Sequence, residues 1–173
     1  MESKRHPVAG RDSQLQTKSM PTSHLIEDLL LQALLRHQAK LDENQIQARL
    51  GTYQGCPFLK LDKANWHNRG EVIIPGEIFF SIWLDEKDRM NYNIHAFKLR
   101  HLTAYKLQSR KFAEDFRNHL QSKMQNWPNV SVEYGPLTLM QGWIKDESQI
   151  DDLIAEFISI HQMIDILLEE NRK

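Results

Sequence analysis

The segment Glu77 to Leu84 constrains the fold of this chain more than any other. Read as a strand, it places Ile78, Phe80, Ile82 and Leu84 on one face and Phe79 and Trp83 on the other, because successive side chains alternate across a pleated backbone. A strand that is apolar on both faces belongs in the middle of a sheet. The chain must therefore supply further strands on either side of it and at least one helical layer to cover the sheet.

Candidate partners lie close by. Pro57 to Leu61, Glu71 to Ile74 and Tyr92 to Leu99 carry β-branched and aromatic residues between turn signals, with Pro75-Gly76 and the polar run Asp85 to Asn91 as breaks. Val130, Val132 and Tyr134 alternate with polar residues before Gly135-Pro136, and Leu137 to Ile144 resumes as an extended segment, so this region reads as a hairpin. Helical spacing appears on both sides of the strand block. A helix is expected from Ser23 to Lys40 on the stripe formed by Leu25, Ile26, Leu29, Leu30, Ala33 and Leu34, and a short helical turn from Glu43 to Leu50, stopped by Gly51. Phe112, Phe116, Leu120 and Met124 recur every four residues after Ser109, a candidate N-cap, and Trp127-Pro128 stops that helix. A last helix begins near Asp146, where Asp146 with Gln149 or Ser148 with Asp151 forms a capping box, and its wide apolar face runs through Phe157 and His161 to Leu168.

The expected architecture is an α+β fold: a mainly antiparallel sheet of five or six strands packed by an N-terminal helix, a middle helix and a C-terminal helix. Residues 1–22 lack apolar periodicity and read as a disordered N-terminal tail, leaving 23–173 as a single domain. No apolar run approaches the ~20 residues that span a bilayer, and the first residues have no apolar core of a secretory signal, so no membrane association and a cytoplasmic location are expected. Cys56 is the only cysteine, which excludes an internal disulfide and a multi-cysteine zinc site.

The net charge of −1 conceals two opposed segments. From Lys87 to Lys123 there are nine basic residues against three acidic ones, a net +6; from Asp146 to Lys173 there are eight acids and two bases, a net −6. Two solvated faces of opposite sign account for this plainly. A sharper reading is that the basic segment binds an anion, since local charge rather than the total decides which partners approach. The candidate binding residues are Tyr92, Lys98, Arg100, Tyr105, Lys106, Arg110 and Lys111. Tyr92 shares a strand face with Lys98 and Arg100, and Arg110 and Lys111 open a helix whose N–H groups favour negative charge.

Catalytic signals are weak by comparison. The triplet Asp85, Glu86, Lys87 follows a predicted strand, with Pro75-Gly76-Glu77 upstream, and the order of helix, strands, helix, strands and helix resembles the layout of the PD-(D/E)xK nuclease fold. The resemblance implies a metal-dependent nuclease with Asp85, Lys87 and Glu77 close together. Ala96 stands where the same pattern, taken back from Lys98, requires an acid, and a hairpin tip needs polar residues at 85–91 in any case. His95, His101 and His161 have no ligand partner at helical or strand spacing, and Cys56 has no nearby charge to activate it. Neither a phosphate loop nor a nucleophile elbow occurs. The chain is thus expected to have no catalytic residues, metal or cofactor, and to act as a binding module for nucleic acid or an acidic protein. The divergent nuclease is one alternative; a structural subunit that forms a homo-oligomer through its C-terminal helix is another.

Overall fold

The computed structural model describes residues 23–131, 135 and 137–173. The expected tail, and most of the first arm of the hairpin expected after Val130, lie outside the described residues. The fold opens with helix α1 (Ser23–Glu43), followed by strands β1 (Gln47–Tyr53), β2 (Cys56–Asp62), β3 (Glu77–Leu84) and β4 (Met90–Phe97). Helix α2 (Ser109–Met124) comes next, then β5 (Thr138–Ile144) and the helices α3 (Gln149–Ile160) and α4 (Gln162–Glu170). The five strands form one antiparallel sheet in the order β1-β2-β3-β4-β5. This is the expected α+β fold, with β3 at its centre. Among the described residues no helix is long and apolar enough to cross a membrane.

The two faces of the sheet differ. Leu59 and Leu61 of β2 pair with Ile82 and Phe80 of β3, which pair in turn with Tyr92 and Ile94 of β4, and Ile94 pairs with Met140 of β5. All of these are buried in one core with Leu30 of α1, Phe116 of α2, Phe157 of α3 and Leu168 of α4. The opposite face carries the alternate residues, among them Phe58, Lys60, Phe79, Trp83 and His95.

Three elements depart from the expectations. The helical turn expected at 43–50 is strand β1: α1 runs on to Glu43, Gln45 takes a positive φ of 59°, and the chain reverses into the sheet. Gly51 does not stop a helix; it lies opposite Phe58, whose ring leaves no room for a β-carbon. The β1–β2 turn is Gln54-Gly55, both at positive φ (52° and 78°), the backbone that best matches the twist of a tight hairpin. Glu71 to Ile74 is a loop with a single isolated bridge between Arg69 and Val72; Ile73 is fully exposed, because no neighbouring strand reaches this β-branched run. The single last helix is two, separated at His161. Its start follows one of the expected caps in part: the Gln149 side chain accepts from the backbone N–H of Asp146 at 3.3 Å. Ser109 is the first residue of α2 and not its cap. The apolar positions of α3 and α4 are mostly turned inward, with Ile166 exposed.

Candidate anion-binding cleft

Beyond β4 the chain makes a sharp turn. Lys98 adopts a left-handed backbone (φ 49°, ψ 51°), and a short 3-10 turn follows at Leu99–His101. Leu99, Leu102, Tyr105 and Leu107 are buried, and these anchors leave Lys98, Arg100 and Lys106 exposed. A loop braces the turn from behind: the Asn68 amide donates to the His101 carbonyl and accepts from the Gly76 N–H, and His101 Nδ1 donates to the Ile74 carbonyl at 2.6 Å. The C-terminal residues close the other side. Lys106 N–H donates to the Asn171 carbonyl at 2.7 Å, Lys173 N–H donates to the Ala104 carbonyl at 3.1 Å, and Tyr105 bridges Arg172.

Between this pinned segment and the start of α2 lies a cleft of about 660 Å³. Arg100, Lys106, Lys111 and Lys173 line it, with Asp115 as its only acidic side chain among the described residues and Tyr105, Leu107 and Phe112 as its apolar floor. Lys111 is paired with Asp115 at 3.1 Å. Arg172 is held by Glu169 and covers the Tyr105 ring at 5.1 Å. Arg100, Lys106 and Lys173 make no ion pair among the described residues. An anion in the cleft therefore meets Arg100, Lys106 and Lys173, none paired with a side-chain carboxylate among the described residues, in a concavity where screening by water is weaker than on an open surface.

Four of the seven expected binding residues thus meet in one place: Arg100, Tyr105, Lys106 and Lys111. Arg110 is exposed on the first turn of α2 and is not part of the cleft wall. Lys98 stands just past the end of β4, over the Phe97 ring, 5.2 Å from its centre. Tyr92 has to be removed from the set. It is fully buried, its hydroxyl donates to the Pro128 carbonyl at 2.5 Å, and its ring lies beside Trp127. The strand count that put Tyr92 with Lys98 and Arg100 fails because β4 ends at Phe97 and the left-handed Lys98 breaks the alternation. Lys173 and Asn171 had no local signal in the sequence, since only tertiary pairing brings them to the cleft.

The acid and lysine set of the nuclease resemblance is not assembled. Glu77 and Asp85 stand at opposite ends of β3, about 26 Å apart at ~3.3 Å per residue. Glu77 is paired with Arg69. Asp85 organises the β3–β4 turn: it accepts from the backbone N–H groups of Lys87 and Arg89 at 2.8 and 3.0 Å and from the Asn91 amide at 2.8 Å. Partial burial on its own raises its pKa, but these hydrogen bonds outweigh it and hold the carboxyl below its ordinary range. Among the described residues, no three His, Cys, Asp or Glu side chains come together to hold a metal ion. His161 is buried beside Asp165, His95 lies on the face of the sheet opposite the core, and Cys56 is half-buried at the start of β2. Set against known proteins, the chain matches no family model, no curated protein and no solved structure.

Proposed function

We propose that this chain is a non-catalytic binding module whose basic cleft takes an anionic partner, a nucleic acid or an acidic protein. The observation that carries the reading is the convergence of Arg100 and Lys106 from one segment and Lys173 from the C-terminal residues on one concave site, with no ion pair to any of the three among the described residues. A merely solvated face has no need for the C-terminal residues to be bonded into its wall. Polyanion binding driven by such contacts releases counterions, so its affinity falls linearly with salt on logarithmic axes. Titration of a single-stranded oligonucleotide and of an acidic peptide across a salt series is the test. The expected result is a clear negative salt slope for at least one of them, reduced by about one for each of Arg100→Ala and Lys106→Ala. No binding at low salt, or a slope that neither substitution changes, removes the cleft as a site.

A further inference from the structure

The face of the sheet that no helix covers among the described residues is not a plain apolar surface. Cross-strand register places Phe58 opposite Trp83, Lys60 opposite Ser81, Ser81 opposite Asn93, Phe79 opposite His95 and Glu77 opposite Phe97. Rings thus border a polar row of lysine, serine and asparagine. The rings contact one another: Phe79 and His95 are 5.2 Å apart between centres, and His95 and Phe97 are 6.0 Å apart. Lys60 Nζ lies 4.4 Å from the centre of Phe79 and 5.1 Å from that of Phe58, and no carboxylate pairs with it among the described residues. Ser81 donates to the Asn93 carboxamide oxygen at 2.6 Å, a bond that does not use the donors of the Asn93 NH2 group. Among the described residues, strand and hairpin residues alone line a groove of about 970 Å³ over this surface.

The ends of the groove are charged differently. Asp85 and Glu86 border it at the β3–β4 turn. Away from that turn the groove reaches His95, and the Phe97 ring beside it lies beyond the groove itself; Lys98 follows Phe97 directly and Arg100 comes two residues later, so Phe97 to Arg100 span at most about 11 Å. Flat rings at the floor, hydrogen-bonding groups between them and cations at one end are the features that hold unpaired bases by stacking while the phosphates lie along a positive margin.

We propose that the partner of this module is a single-stranded nucleic acid, its bases stacked on the part-exposed rings of Phe58, His95 and Phe97, with the buried Phe79 ring supporting them from below, and its phosphates led past Lys98 into the basic cleft. The proposal rests on the anion-binding reading and adds the face that reads the bases. An acidic peptide satisfies the cleft but leaves the rings and Asn93 without matching groups. Burial pushes the Lys60 and His95 side chains below their ordinary pKa values.

The test compares a short oligothymidylate with an abasic phosphodiester of equal length on the intact chain at fixed low salt, following tryptophan emission. Stacking predicts at least about tenfold tighter binding of the thymidylate, since each stacked base contributes a factor of about that size. Tryptophan emission should be quenched, with the quenching lost in Trp83→Phe. In Phe97→Leu, which keeps an apolar side chain but no ring, the preference should shrink; a melting curve checks that the variant is folded. Equal affinity for the two oligomers, abolished by Arg100→Ala with Lys106→Ala, overturns the stacking face and leaves the anion-binding cleft standing. Binding of neither overturns both. An acidic peptide that binds as tightly and quenches the same tryptophan overturns the nucleic-acid assignment.

Discussion

His161 is enclosed by apolar residues at the junction of α3 and α4, with its Nε2 3.2 Å from the Asn44 carboxamide oxygen and its Nδ1 4.0 Å from Asp165. Burial pushes the imidazole below its ordinary pKa, the Lys63 ammonium acts in the same direction, and Asp165 opposes them. His67 and His95 are lowered as well, again chiefly by burial. A base with a depressed folded pKa binds protons more readily when unfolded. Its contribution is therefore complete above the unfolded value of about 6.5 and is lost as pH falls from there through the folded value. Asp165 behaves separately: burial raises its pKa, but hydrogen bonds from Lys63, Trp66 and Asn65 outweigh that and lower it, so its contribution disappears only below about pH 3.9. We expect the urea midpoint to drop between about pH 7 and pH 5, and His161→Gln, which keeps a donor for Asn44 but does not titrate, to flatten part of the drop. Superimposable pH profiles for the two proteins would show that His161 is as easily protonated folded as unfolded.

Helix α2 and strand β3 were the elements most legible in the sequence, because each has a saturated pattern. Phe112, Phe116, Leu120 and Met124 are all buried, and Phe116 is fully so. Phe116→Ala should cost about 3–5 kcal/mol, measured by denaturant unfolding, since the ring leaves a cavity that its neighbours cannot fill. A loss under about 1 kcal/mol would mean that the core repacks around the gap. Strand β1 was misread for the opposite reason. Most of its residues are exposed on both sides, so it has no period to detect, and the useful signal was the Gln54-Gly55 turn after it. Glu71 to Ile74 has the composition of a strand without a partner strand, and composition alone does not specify pairing. The basic cleft was legible in part: Arg100, Lys106 and Lys111 are close in the chain, whereas the bridge between Tyr105 and Arg172 joins residues far apart in sequence.

Across the whole molecule, the opposed charges of the middle and final segments are not simply set against each other. Asp151 of α3 is bound by Arg36 and His37 of α1, and Asp165 of α4 by Lys63 at 2.6 Å. Part of the acidic segment therefore fastens helices to the rest of the fold, while Arg100 and Lys106 stay unpaired among the described residues. Stability should vary across the sheet in the same graded way. Six of the eight residues of β3 are buried, whereas β1 is an edge strand with mostly exposed side chains. Amide hydrogen exchange should be slowest in β3 and its partners and fastest in β1; comparable protection in β1 would point to a covered edge. The order of strands in the sheet follows their order in the chain, and β1 to β4 pair through neighbouring segments. Local pairing of this kind forms early, because little loop entropy is lost before contacts are gained. On the ribosome, where N-terminal parts emerge first, α1 and the first four strands can assemble before the cleft exists. Its walls wait for Lys111 and then for Asn171 and Lys173, so a nascent chain carries the ring-bearing face well before it carries the basic cleft.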